Sequence, residues 1–301
     1  MGRSRADSAP SGGLTRSVRS GGSFYVSDLD GTLLDTQARL SDITKAGLVR
    51  LLSDGLQFSV ASARHVVSIQ KIFEGVPLKL PVISSNGAYL SDAASGHHEL
   101  VNAMDPALSQ AVFALMRRHG FTPFVLTHGP KGDQLFYESV QNEGQRRFVE
   151  ERRLGQDPRL RHTNRIADEL VHPAITLLVI ADAAPLTALY AEIDALCGPT
   201  IEMHLADDLY MPGWLWLNVH DAKASKAQAI KSMAERYGLH DRELVVFGDH
   251  VNDLSMFRTA HRGIAVANAL DEVKRAAKQV IAPHHEDAVL NFIKQDWVRH
   301  P

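Results

Sequence analysis

Asp28 and Asp30 stand two residues apart and run directly into Gly31 and Thr32. Far along the chain, Asp249 and Asp253 bracket a second polar run, Gly248-Asp249-His250-Val251-Asn252-Asp253. A carboxylate can attack an electrophile, move a proton or hold a cation. Carboxylates gathered at close quarters repel one another, and a divalent cation between them resolves the conflict. The oxygen donors of Asp28, Asp30 and Asp249 suit Mg2+, which prefers octahedral oxygen coordination and keeps waters and a substrate phosphate oxygen in its shell. The Cys and His residues show no zinc-site spacing.

A parallel sheet would bring these groups together. Phe24-Tyr25-Val26, Phe58-Ser59-Val60, Val82-Ile83, residues 244–247, Ile264-Ala265-Val266 and Val280-Ile281 read as short strands. Helical patterns separate them at 43–52, 66–73, 227–237, 254–257, 270–277 and 287–293. Ser41 or Asp42 is a fitting N-cap for the first, and Gly55 its stop. This alternation implies crossover units, an α/β fold with a Rossmann-like parallel sheet. Ligands of such sheets bind at the carboxyl ends of the strands. There the first strand delivers Asp28 and Asp30, and the second Ser62 and Arg64. The third delivers Ser85 and Asn86, and the fourth Asp249, Asn252 and Asp253. Residues 89–219 have a different texture, with hairpin and helix patterns mixed, and read as an inserted α+β domain.

Asp28-Leu29-Asp30-Gly31-Thr32 resembles the first motif of the haloacid dehalogenase superfamily. Ser62, Lys226 and Gly248-Asp249-x-x-Asn252-Asp253 match the other three motifs in order and spacing. Ile83-Ser84-Ser85-Asn86-Gly87-Ala88, Ser225-Lys226 and Gly263-Ile264-Ala265-Val266-Ala267-Asn268-Ala269 are similar to the Cof-type subfamily. The resemblance implies a magnesium-dependent phosphatase acting on a small phosphorylated metabolite through an aspartyl-phosphate. It implies Asp28 as nucleophile, Asp30 as acid–base, and Ser62, Lys226 and Asn252 as phosphate-binding groups. Its metal takes the side chains of Asp28 and Asp249 and the backbone carbonyl of Asp30. Asp253 either joins the metal or orients Lys226 and the metal waters. Asn86 and Thr32 are supporting contacts, and Arg64 is either a surface residue or a contact to substrate or cap. The pattern departs from the family at Ser62, where Thr is usual, and at Ala63, where Gly is usual.

The resemblance divides the chain into a core of residues 23–88 and 220–301 and a C2-type cap of residues 89–219. The cap sets specificity, and His128, Lys131, Asp207 and Tyr210 are its candidate contacts. His65 and His250 flank motif residues. Residues 1–22, rich in Ser, Gly and Arg, read as a disordered tail. A net charge of -3 provides no basic field for nucleic acid. No apolar run reaches the length of a membrane span. Lone Cys197 fits a reducing, cytoplasmic setting and reads as a small buried hydrophobe. A monomer or homodimer is expected. Two other classes stay open: a phosphotransferase or phosphomutase, and a non-catalytic binding protein on the same scaffold.

Overall fold

Why the first strand forms inside the sheet is plain from its residues: Ser23–Ser27 is buried throughout and can be tolerated only with neighbours on both sides. The computed structural model of the chain describes residues 22–208 and 211–297. The expected disordered tail at residues 1–22 lies, Gly22 apart, outside the described residues, as does Tyr210. In chain order the core supplies β1 (Ser23–Ser27), β2 (Gln57–Val60) and β3 (Val82–Ser84). A hairpin follows, β4 (Tyr89–Ser91) and β5 (His98–Val101). Then come β6 (Phe124–Gly129), β7 (Gly132–Tyr137), β8 (Leu160–His162), β9 (Ala174–Ala181), β10 (Ile201–Asp208) and β11 (Met211–Asp221). The chain returns to the core with β12 (Glu243–Gly248), β13 (Arg262–Val266) and β14 (Gln279–Ile281).

The core sheet is parallel, in the order β14-β13-β12-β1-β2. Three of its connections, β1 to β2, β12 to β13 and β13 to β14, cross over through helices, as the sequence pattern requires. Ser41 caps the helix Asp42–Ser53 by accepting the Thr44 N–H, and that helix buries Leu48, Leu51 and Leu52. The order puts β1 beside β12, with Ser27 opposite Phe247. The residues just beyond those two, Asp28 and Gly248-Asp249, therefore emerge side by side.

Two expectations are corrected. β3 does not run as a full member of the parallel sheet. It touches β2 through a single parallel bridge, Ala61 to Ile83, and pairs antiparallel with β4. β4 and β5, read from the sequence as the start of the insert, thus extend a small sheet β3-β4-β5 attached to the core. The insert's own sheet runs β10-β11-β9-β6-β7-β8. Its apolar residues form a separate cluster, with Val112, Leu177, Leu189 and Leu217 among its members. Cys197, at the end of the helix Ala183–Cys197, is buried there as expected. Among the described residues no helix is long and apolar enough to cross a membrane.

Candidate active site

The backbone N–H of Asp28 donates to Phe247 O at 2.9 Å, carrying the β1–β12 ladder one residue past the strand. The chain then turns tightly, with the N–H groups of Thr32, Leu33 and Leu34 all converging on Leu29 O. Gly31 has φ +73°, and a Cβ there would stand 2.4 Å from Asp249 Oδ2. The turn therefore needs glycine both for its conformation and for the approach of that carboxylate. Asn268 Nδ2 donates to Gly31 O at 2.8 Å and holds the turn. Across the edge, Asp253 Oδ2 accepts the N–H groups of Asp249 (2.9 Å) and His250 (3.0 Å), folding the second polar run back on itself.

Lys226 opens the helix Lys226–Arg236, which is capped by the Ser225 hydroxyl. Its ammonium donates at 2.6 Å to Asp28 Oδ1 and at 2.6 Å to Asp253 Oδ1, with the lysine side chain only 1% exposed. One carboxylate oxygen each from Asp28, Asp249 and Asp253 lies within 4.8 Å of the others. Thr32 Oγ1 donates to Asp249 Oδ1 at 3.0 Å. Three buried carboxylates stand around one ammonium, which if all were ionised would leave an excess of two negative charges. Burial and then Asp253 push the Asp249 carboxyl up to about 7. Burial also pushes Asp28 up, against the pull of Lys226. For Lys226 burial works against the charge, but Asp253 and Asp28 outweigh it and keep the ammonium protonated. A dication would cancel the excess, and the donors are hard oxygens, so the residues fit Mg2+.

The remaining predicted residues sit around this cluster. Ser62 is buried, with its Oγ accepting the Arg64 N–H at 3.1 Å, and its carbonyl accepts the Asn86 N–H. Asn86 has φ +56°, and its Oδ1 accepts Asn252 Nδ2 at 3.2 Å. Ser62, Asn86 and Asn252 are thereby chained together. Asp30 is set apart from the three carboxylates. Arg64 clamps it with a fork, Nε to Oδ2 at 2.7 Å and Nη2 to Oδ1 at 2.6 Å. Arg64, read from the sequence as a surface residue or a contact to substrate or cap, thus meets the acid of the first motif. The Asp30 carboxylate is not part of the three-acid cluster, which leaves its backbone carbonyl as the group the resemblance assigns to a metal.

The family model for haloacid dehalogenase-like hydrolases matches residues 25–293. The chain belongs to that family. It is 26% identical to the pyridoxal phosphate phosphatase YbhA of Escherichia coli, over 88% of this chain and 95% of that one. It is 24% identical to the 5-amino-6-(5-phospho-D-ribitylamino)uracil phosphatase YitU of Bacillus subtilis, over 89% and 95%. A solved haloacid dehalogenase-like hydrolase from Bacteroides thetaiotaomicron shares the fold at a TM-score of 0.73 and 22% identity, covering 91% of this chain and 98% of that chain.

In this haloacid dehalogenase-like hydrolase, a cleft of about 700 Å3 separates the two sheets. Asp30, Arg64 and Asn86 line its core side, and Trp216, Asn218 and His220 its opposite side. These last three alternate along β11 and so share one face of the strand. That period of two was the signal available in the sequence, with Trp216, Asn218 and His220 alternating with Leu215, Leu217 and Val219. Arg147 and Arg152 from the helix Glu143–Leu154 complete the wall. Of the four residues singled out in the insert, Lys131 and Asp207 are exposed and line no part of the cleft. His128 instead joins His65 at a carboxylate hub.

The raised pKa of Asp249 has a thermodynamic consequence in the metal-free hydrolase. The folded state binds this proton more tightly than the unfolded chain. The resulting stability is complete below the ordinary value of 3.8 and is lost as pH climbs through about 7. In chelator, the melting temperature is therefore expected to fall across that window, and the increment restored by magnesium to grow. Asp249→Asn should flatten both trends. Thermal melts at several pH values with and without magnesium measure this, and an increment that does not rise with pH counts against the shared-charge account.

Proposed function

We propose that the chain is a magnesium-dependent phosphatase that hydrolyses small phosphomonoesters through a phosphorylated Asp28. The observation that carries this reading is the buried Lys226 ammonium, 2.6 Å from both Asp28 and Asp253, within a cluster of three buried acids. That arrangement keeps Asp28 pinned by one oxygen, Oδ1, and leaves Oδ2 for attack. Asp28, Asp249 and the Asp30 carbonyl would hold Mg2+, with Asp253 beside it, and the bound ion would supply positive charge to the phosphoryl oxygens.

Asp28 forms the O–P bond as the bond from phosphorus to the leaving oxygen breaks. Asp30 gives a proton to that leaving oxygen, a role that requires its carboxyl to leave the Arg64 fork, in which both oxygens are acceptors. In the second half Asp30 takes a proton from water, which displaces Asp28 and releases phosphate. Lys226 neutralises charge on the transferring group, while the Ser62 hydroxyl and the Asn252 amide donate to its oxygens. The insert beyond the β4–β5 hairpin, with its sheet β10-β11-β9-β6-β7-β8, acts as a cap over the core. With Trp216, Arg147 and Arg152 in the cleft, the cap reads the leaving group.

A panel of phosphorylated metabolites, assayed for phosphate release with magnesium and ranked by kcat/KM, tests the proposal. The panel includes pyridoxal phosphate and 5-amino-6-(5-phospho-D-ribitylamino)uracil, after which two relatives are named. Release of free phosphate from at least one small monoester, abolished by chelator and restored by magnesium, is expected. A new phosphorylated product without free phosphate would instead identify a phosphotransferase.

A further inference from the structure

Away from the acid cluster, Asp133 of β7 gathers an unusual set of neighbours. His65 Nε2 and His98 Nε2 each stand 2.7 Å from its Oδ2. His128 Nδ1 stands 2.8 Å from Oδ1, and the Tyr89 hydroxyl donates to the same oxygen at 2.9 Å. The side chains of His65 and Asp133 are both 7% exposed and that of His98 10%. The groups come from both sides of the cleft. His65 follows β2 in the core, and Tyr89 and His98 lie on the hairpin attached to it. His128 and Asp133 face each other across the β6–β7 ladder of the other sheet.

We propose that His65, His98 and Asp133 form a second metal site, selective for a zinc-class transition ion and distinct from the magnesium site. One ligand atom from each lies within 4.8 Å of the others. Two imidazole nitrogens and a carboxylate oxygen suit zinc or cobalt and are poor donors for magnesium. Three protein ligands with a fourth position for water, on the side of half-buried His128, make a chemically complete shell. Donors about a tetrahedral ion stand about 3.3 Å apart, so the 2.7 Å separations would open by about 0.6 Å.

The ring protons can be rearranged without net release. In the metal-free form each imidazole points its N–H at Asp133. On binding, the Nε2–H of His98 moves to Nδ1, where Ser91 Oγ at 2.7 Å turns from donor to acceptor. A hydroxyl can play both parts. Such an outer partner is what orients a metal-bound imidazole. Tyr89 stacks on the His98 ring, with centroids 4.0 Å apart, and holds its plane. For His65 the same shift gives up a long contact from the Val67 N–H at 3.3 Å. Its ring is already in the neutral form a metal requires, since burial pushes its pKa down to about 4. The Asp133 carboxyl is ionised: burial opposes this, but the His65 and His98 donors outweigh it. Occupancy would tie β7 to the loop after β2 and clamp the two sides of the cleft together.

Cobalt binding to the full chain in millimolar magnesium tests the site. Four-coordinate Co2+ with nitrogen ligands gives strong visible absorption, and an octahedral oxygen site gives very little. One Co2+ per chain with the strong bands, removed by one equivalent of Zn2+, is expected. His98→Gln keeps a donor to Asp133 but loses the imidazole. It should weaken cobalt binding by at least about 10-fold, the lower end of what even an outer partner contributes. Asp249→Asn should leave the bands intact. Absent bands, bands unchanged in His98→Gln, or bands lost in Asp249→Asn would each overturn the proposal and leave the cluster a hydrogen-bonded hub. A thermal melt of His98→Gln confirms that a loss of bands is not a loss of fold.

Discussion

Asp28→Asn is expected to lower kcat by about 10⁴-fold or more while the chain stays folded. The amide has the shape of the carboxylate but no anionic oxygen to form the bond to phosphorus. The loss belongs to the chemical step, so KM for the best substrate should change far less than kcat. Folding survives because the metal-free site already disfavours a charge at this position: burial, Asp253 and Asp249 all push the Asp28 carboxyl up. A neutral amide relieves that repulsion, and Lys226 keeps Asp253 at 2.6 Å. The melting temperature in chelator should equal or exceed that of the unmodified chain. Rapid-quench labelling with a slow substrate should show acid-stable phosphate on the unmodified chain and none on the variant. Turnover within a few fold of normal would remove Asp28 from the chemistry altogether.

The site residues were legible because they obey a local rule. Asp28, Ser62 and Asp249 each follow a short strand, and a parallel sheet delivers the ends of neighbouring strands to one edge, whereas Lys226 opens a helix and was legible only from the motif order. Asp28 and Asp249 could be paired from the sequence for that reason alone. Arg64 was ambiguous because its partner lies 34 residues away and nothing in the pattern fixes a rotamer. The hub at Asp133 was harder still. Its members span residues 65 to 133 and meet only when two sheets are brought together, so no spacing rule describes them. The hairpin β4–β5 was assigned to the insert because short antiparallel strands break the crossover rhythm, yet it continues from β3 by simple adjacency. The helix Glu143–Leu154 escaped notice because its buried face is narrow, with Phe148 and Val149 as its large apolar members. Its outer face carries Glu143–Arg146, Arg146–Glu150 and Glu143–Arg147 pairs, exposed to solvent and screened by it.

Lys226→Met removes the one ammonium inside the acid cluster and should damage both stability and turnover. Breaking a buried ion pair by deleting one partner leaves the other charge uncompensated, at a cost of about 3–5 kcal/mol. Here two carboxylates, Asp28 and Asp253, lose the same partner. Methionine fills much of the space of the aliphatic stem, so the loss reports charge more than volume. The melting temperature in chelator should fall by several degrees, and magnesium should recover more of it than in the unmodified chain, because the dication becomes the only counter-charge. Acid should also recover part of it, since a protonated carboxyl no longer needs the lysine. Turnover should still fall by about 10³-fold with magnesium present, because a charge aimed at the transferring oxygens is lost where it matters most. Lys226→Arg keeps the charge but spreads it over a planar fork that is larger than the point-like ammonium, and should rescue stability better than kcat. That split separates two roles of one side chain: holding Asp28 and Asp253 together in the resting fold, and meeting the phosphoryl group during reaction. If both variants melt like the unmodified chain in chelator, the acid cluster does not depend on Lys226, and the charge balance that favours a dication loses its basis.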